Sequence, residues 1–412
     1  MKPSHTILTL LLTASAATAA QVVPAVTSRP VGFAGLPVSG TLRYDLRYSQ
    51  TSQFGYGQDG RQWSMASGDA SYANIGKRFP FSMQYNGGYG WRWNGPSSPG
   101  NTFQSLSLSQ GMNGRSWNLS ATDNVSYTFE TQATGFLGST SAPDQTILAL
   151  NSRTLDNTAT IGIGRKLNYA SSLNIGGSSG QMRFIDGNGL DMNTVTADAG
   201  ISRRLGARDS ASGQYSFSRY SYSGSSSISG ISAAQISFSQ TNTVQLSLSR
   251  QWNQQISASA TIGPQWVSSS DSAVISSSTR ISASASFKDT LRFGTAGLSY
   301  SHGTTGGSGY MLGAETDDID GNFTRKIGRS LNVELNGSYV RTSGLIGNYT
   351  TNAKNGEVQA TWRLGRYFNI FASYTAADQS SSIVNSATIL NGLDQSLSFG
   401  IGYSPREVHL RK

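Results

Sequence analysis

Along most of the chain apolar and polar residues alternate one for one. In residues 328–344, GRSLNVELNGSYVRTSG, the apolar residues Leu331, Val333, Leu335 and Tyr339 share one parity, with Gly337 between them. Asn332, Glu334, Asn336 and Ser338 take the other. A strand sends successive side chains to opposite faces, so this segment has one apolar and one fully polar face. The pattern returns with Leu42, Tyr44, Leu46 and Tyr48, with Ile256, Ala258, Ala260 and Ile262, and with Ile281, Ala283, Ala285 and Phe287. Val358, Ala360, Trp362 and Leu364, and then Leu397, Phe399, Ile401 and Tyr403, repeat it near the end. Such persistence predicts an all-β chain from about residue 41 to residue 403.

Between paired strands lies a short basic punctuation: GKRFP at 76–80, GMNGRS at 111–116, GRKLN at 164–168, RRLGA at 203–207, RQWNQ at 250–254, FKDT at 287–290, RKIGRS at 325–330 and RLGRY at 363–367. Strands joined by so few residues are adjacent and antiparallel. The stretches between punctuations hold longer Ser/Gly/Asn/Asp-rich loops, such as 130–153, 180–193, 301–318 and 377–393. Eight turns define sixteen strands, and one strand before and one after make eighteen, within a range of 16–20. Short turns at one end and long loops at the other predict a transmembrane, antiparallel, up-and-down β-barrel. Its even strand count returns both ends of the chain to the short-turn side.

Aromatic spacing tests this against a soluble sheet. Phe81 is followed by Tyr89 and Trp91, Trp117 by Tyr127 and Phe129, and Leu331 by Tyr339. Eight to ten residues at ~3.3 Å rise and a tilt near 40° span about 20–25 Å along a barrel axis. A lipid-facing band of about 25 Å bordered by aromatic girdles has this height. A soluble sandwich, with its apolar face on a second sheet, and an extracellular β-solenoid or adhesin array remain the alternatives. Neither accounts for an apolar face repeated in nearly every strand with no helix to cover it, and an open sheet of this length would expose its edges.

Composition narrows the class. Lys2, the apolar run Ile7–Leu12 and the small residues Ala17-Thr18-Ala19 read as a secretory signal peptide over 1–20. The expected layout then continues with a periplasmic segment 21–40, a barrel 41–403 and a periplasmic tail 404–412. There is no cysteine, which excludes a disulfide-stapled scaffold. Charged residues are 13% and apolar residues 37% of the chain, yet 7 Trp, 18 Tyr and 16 Phe argue against disorder. The formal net charge is +9, but export and the lack of a basic helix or an aromatic–basic RNA motif exclude nucleic acid as a partner.

The signal peptide, the alternating strands, the short basic turns and the last strand LDQSLSFGIGY resemble those of porin-like outer-membrane β-barrels, over residues 41–403 and in architecture rather than in a motif. In porins the final strand ends on an aromatic read by the barrel-assembly machinery. Tyr403 fits that place, although SPREVHLRK follows it. The resemblance implies outer-membrane localisation in a Gram-negative-type bacterium, contact with outer-membrane lipids, and a homo-oligomer among the expected assemblies. In trimeric porins the loop after the fifth strand folds inward, and its counterpart here is 130–153, with Glu130, Asp144 and Arg153 as its charges. With no plug or passenger segment expected, and small lumen residues such as Ser247, Ser257, Ser282 and Ser396, the cylinder has room for an aqueous channel. The function expected is passive diffusion of small hydrophilic solutes, with export of polysaccharide or protein as the alternative.

Parity places Arg43, Asp45, Arg47, Asp198, Arg204, Arg292, Glu334, Glu357 and Arg363 on the lumen face, where a small excess of Arg predicts a mild anion preference. Cross-strand pairing is the plainer role for such charges, and Glu334 is expected beside Arg363. A basic periplasmic rim is expected from Lys77, Arg78, Arg115, Arg165, Lys166, Arg203, Arg250, Lys288, Arg325, Lys326 and Arg366, against anionic headgroups or as a filter at the mouth. Catalytic residues, a metal and a cofactor are not expected. His302 with Asp317 and Asp318 is similar to omptin proteases in residue type alone, and a solvated loop histidine is the simpler reading; His409 is the other one past the signal. The stretches 186–193 and 317–322 lack the spacing and terminal Glu of a calcium loop and read as polar turns.

Overall fold

The computed structural model describes residues 41–55, 61–74, 78–93, 101–129, 153–186, 189–223, 227–228, 231–232, 238–271, 275–307, 311–347, 349–382 and 391–409. The expected signal peptide, the 21–40 segment, Lys77 and all of the 130–153 loop except Arg153 lie outside these residues. Among the described residues there is no helix. The elements are β1 (Thr41–Gly55), β2 (Arg61–Asn74), β3 (Phe81–Arg92), β4 (Asn101–Asn113), β5 (Trp117–Phe129), β6 (Arg153–Lys166) and β7 (Ser171–Phe184). There follow β8 (Asp191–Arg204), β9 (Asp209–Ser223), β10 (Ser227–Ile228), β11 (Ile231–Ser232), β12 (Phe238–Gln251), β13 (Ile256–Ser269) and β14 (Ser278–Leu291). The last are β15 (Gly294–Thr305), β16 (Ala314–Ile327), β17 (Leu331–Gly344), β18 (Thr350–Leu364), β19 (Phe368–Ser381), β20 (Gly392–Tyr403) and β21 (Val408–His409).

Eighteen strands of 12 to 15 residues form one closed cylinder. Each pairs antiparallel with the next, and β20 returns to β1 from Leu46↔Tyr403 to Gly55↔Asp394. Closure gives every wall strand two partners, the condition for a sheet that carries its backbone polar groups through hydrocarbon. β10 and β11 form a separate small sheet. β21 pairs Val408 with Leu42 and His409 with Thr41, so the start of the expected tail rejoins the first strand.

Turns at one end span two to six residues, and connections at the other five to 23. The short turns share devices. Asn168 Oδ1 accepts the backbone N–H groups of Ala170 (2.8 Å) and Ser171 (2.7 Å), and Asn253 Oδ1 does the same for Gln255 (2.8 Å) and Ile256 (2.7 Å). A polar side chain that mimics a turn carbonyl fixes the reversal without extra chain. Gly328 and Gly365 supply left-handed corners, with φ of 65° and 69°.

The structure corrects several sequence boundaries. FKDT lies inside β14, and the turn there is Arg292-Phe293. Asp317–Asn322, expected to be a polar turn, is the body of β16. Asp318, Asp320 and Asn322 share one parity and Asp317, Ile319 and Gly321 the other, so polar composition concealed a strand. The connection expected at 301–318 shrinks to 306–313, that at 180–193 to 185–190 and that at 377–393 to 382–391.

Candidate functional site: the lumen and an inturned hairpin tip

One parity of each strand forms an apolar skin. Leu246 (68% exposed), Ile262 (61%), Ile281 (59%) and Phe399 (54%) belong to it. So does Leu335, in register with Phe323 and Val358. Aromatics edge the skin near both rims: Tyr48 and Tyr89 each lie 6.2 Å from Trp91, and Phe368 lies 5.3 Å from Tyr403. The opposite parity faces the lumen. Side chains of strands as distant as β7 and β16 meet in one cluster on that parity, which only the inside of a cylinder permits.

Near the short turns the lumen wall of β7–β14 is a ladder of paired hydroxyls. Ser210 Oγ lies 2.6 Å from Ser249, Ser247 lies 2.7 Å from Thr261, Ser259 lies 2.7 Å from Ser286, and Ser172 lies 2.7 Å from Ser202. Small side chains that satisfy one another leave the wall polar and thin.

Near the long loops the wall changes. Met182, Phe184, Met192, Tyr220, Tyr222 and Val267 all point inward and are buried. The tip of the β15–β16 hairpin covers them. β15 pairs with β14 only as far as Ala283↔His302, and beyond it the strand leaves the wall for the lumen. Gln265, on the lumen face of β13, holds the departing backbone at both polar groups: Oε1 accepts from Thr304 N (2.8 Å) and Nε2 donates to Thr304 O (3.1 Å). Tyr222 Oη donates to Gly306 O (2.7 Å) and lies 2.8 Å from Ser239 Oγ. Met311 and Leu312 of the tip join the cluster, with Leu345, Ile346 and Tyr349 of the next connection packed against it. A Cβ on Gly306 would lie 2.3 Å from the Tyr220 ring and 2.8 Å from the Met192 sulfur, so only glycine fits this approach.

A latch sits where the hairpin leaves the wall. Arg280 on β14 is ion-paired with Glu315 of the tip. His302 Nε2 lies 3.3 Å from Glu315 Oε1, and its Nδ1 lies 2.8 Å from Asp317 Oδ1, which also accepts from Tyr300 Oη at 3.1 Å. His302 is therefore a strand residue held by two carboxylates rather than a solvated loop histidine. Among the described residues no group of three or more His, Cys, Asp or Glu side chains is arranged to hold a metal ion.

Of the expected pore charges, Arg43, Asp45, Arg47, Asp198, Arg204, Glu334, Glu357 and Arg363 sit on the lumen parity. Arg43 is paired with Asp45 at 2.6 Å, and Glu357 accepts from Asn336 at 3.3 Å. Arg292 does not: it occupies the two-residue turn, 5.0 Å over the Phe293 ring. The expected Glu334–Arg363 pair is not formed either. Glu334 faces Gln359, while Arg363 faces Asn369 and its N–H reaches Ser330 O at 2.8 Å. Strand stagger puts the two about 13 Å apart along β18.

The basic doublets expected as one rim divide by parity. Arg165, Arg203, Arg250 and Arg325 fall on the lipid side, with Arg250 3.6 Å from Asp209, while Lys166, Lys288 and Lys326 fall on the lumen side. Arg78, Arg115 and Arg366 lie in the turns themselves. Lumen-facing Asp69, Asp156 and Asp394 were not among the expected pore charges, nor was Arg92, 4.7 Å over the buried ring of Trp63, and Asp318 and Asp320, expected in a polar turn, also face the lumen. Parity could have found these. The inward apolar cluster left a signal too, because Met182, Phe184, Tyr220 and Tyr222 interrupt the polar parity of their strands.

A closed cylinder of eighteen antiparallel strands, with an apolar skin between aromatic edges and a polar lumen, is a porin-like outer-membrane β-barrel. No protein-family model matches the chain, and no curated protein matches it in sequence. Crystal structures with a similar fold include Pseudomonas aeruginosa OccK5 (OpdH), at 11% identity and a TM-score of 0.45 over 89% of this chain and 98% of that one. Acinetobacter baumannii OccAB3 aligns at 9% identity and a TM-score of 0.46 over 89% and 99%. The FrpB iron transporter from Neisseria meningitidis (F3-3 variant) aligns at 10% and 0.43 over 84% and 63%. These likenesses are of barrel to barrel.

Proposed function

We propose that the chain is a passive channel of the outer membrane for small hydrophilic solutes, narrowed at its long-loop end by the β15–β16 hairpin tip. The observation that carries this reading is the closed eighteen-strand cylinder with a lumen face that is polar from the short turns up to the apolar cluster under the tip, a width that leaves room for water. Transport here is positional and non-catalytic, and the latch at His302 serves to hold the tip. Outer-membrane lipids meet the skin, and the last strand, with Tyr403 near its end, is what the assembly machinery engages.

Selectivity follows from the wall charges. Arg43, Arg47, Arg92, Arg204, Arg363, Lys166, Lys288 and Lys326 share the lumen with Asp45, Asp69, Asp156, Asp198, Asp318, Asp320, Asp394, Glu334 and Glu357, in nearly equal numbers. That balance favours weak selectivity over the mild anion preference expected from the first set alone. Purified protein in a planar bilayer should give steady, open, weakly selective steps. Replacing Arg43, Arg47 and Arg363 by Gln should move the reversal potential toward cations, and no movement would remove them from the selective wall. A barrel that stays shut until a partner is added would favour the export reading instead.

A further inference from the structure

The lumen charges are sorted along the axis. On β8 Arg204 lies at the short-turn end, and Asp198 is six residues away on the same face. β16 repeats this with Lys326 and Asp320, and β18 with Arg363 and Glu357, again six residues apart. An even separation keeps each pair on one side of its strand. Six residues are about 20 Å of strand and about 15 Å of axis. β6 extends the pattern, with Lys166 at the short turn and Asp156 ten residues up.

No carboxylate among the described residues lies within ion-pair distance of Lys166, Arg204, Lys326 or Arg363, so the cations act as a collar rather than as halves of local pairs. Lys288 on β14 adds a fifth member. The collar is spread from β6 to β18 and so lines more than half of the mouth. Above it, Asp318 joins Asp320 on β16. Glu334 lies between the two zones, and Arg47 and Arg92 mix the signs on β1 and β3. Arg280, higher on the wall, is neutralised by Glu315.

We propose that this bipolar lumen makes the protein a rectifying channel, passing ions more readily when the long-loop side is positive. A positive zone at one mouth draws anions in from its side, and a negative zone above it draws cations in from the other. With the long-loop side positive both counter-ions are driven into the pore and accumulate. With the opposite polarity both are driven out, and the zone where the signs meet is depleted. Salt erases the effect, since the screening length falls to about 3 Å near 1 M.

The inference rests on the channel reading, and one experiment separates the two. The chain has no native cysteine, so Gln254→Cys in a short turn gives a unique handle. A thiol-reactive polymer added from one side then reports orientation. At about 0.02 M salt and neutral pH, where the screening length exceeds ~20 Å, the currents at opposite voltages should differ about twofold or more. They should become equal at about 1 M salt. Combined Arg204→Gln, Lys326→Gln and Arg363→Gln should bring the low-salt ratio close to one, as should Asp198→Asn with Asp320→Asn and Glu357→Gln. Absence of any conductance in the native protein overturns the channel reading. A conducting native channel with equal low-salt currents, or one whose ratio survives both sets of replacements, overturns the bipolar lumen. Heat-modifiable mobility on gels confirms that each variant has folded.

Discussion

The lumen faces of β9, β12 and β13 near the short turns and near the long loops differ, although the same strands carry both. At the short-turn end Ser210, Ser247, Ser249 and Ser259 bond to one another or to neighbouring hydroxyls and need nothing from the lumen. At the long-loop end Tyr220, Tyr222 and Val267 are large and apolar, and are buried only because the β15–β16 tip lies over them. A wall that satisfies itself can face water. A wall that leaves apolar surface unsatisfied requires a cover, and in a closed barrel a cover must come from a connection folded inward.

Removing the cover should have the largest effect. Replacing residues 304–314 by a short turn should raise the open-channel conductance about two- to threefold in planar bilayers, as the full width of the cylinder is restored. Unchanged conductance would show that the tip does not narrow the path. The contrast between the two sides of the wall comes next. Ile262→Arg puts a charge on the skin and should cost about 2–4 kcal/mol in unfolding from lipid vesicles, whereas Thr261→Arg, one residue away in the lumen, should cost under ~1 kcal/mol. Equal costs would mean that the faces are assigned the wrong way round.

Gly306→Val tests the contact between tip and wall. Its side chain would collide with Tyr220 and Met192, at about 1–3 kcal/mol of local overpacking. Gating noise should rise while the melting of the barrel stays unchanged, because the strand ladder is untouched. The smallest effect belongs to single hydroxyls. Tyr222→Phe removes the bond to Gly306 O and should loosen the tip by about 1 kcal/mol, seen as brief openings to a higher conductance. Ser259→Ala, at the self-satisfied end, should leave the records unaltered.

Much of the cylinder was legible because strand alternation and membrane thickness are both short-range constraints. Leu331, Val333 and Leu335 declared their face through their parity, and the spacing from Trp117 to Tyr127 declared a span. Boundaries failed where composition misled. The Asp-rich 317–322 resembles a turn, yet a polar lumen accepts Asp318 and Asp320 in a strand as readily as serine. Lys288 was assigned to a turn and Arg292 to the wall, because a two-residue turn such as Arg292-Phe293 leaves almost no signature in composition.

The sequence by itself determined the class of wall, the number of strands and which side of each strand meets hydrocarbon, since each depends on neighbours a few residues apart. Only the tertiary structure decided register, and with it the separation of Glu334 from Arg363, the division of the basic doublets and the level of each carboxylate. It alone showed that the end of β15 turns inward, Thr304 to meet Gln265 and Gly306 to meet Tyr222, which stand two and four strands away around the ring. Stagger and cross-lumen contact are properties of closure, and a strand carries no information about closure until its distant partners are in place.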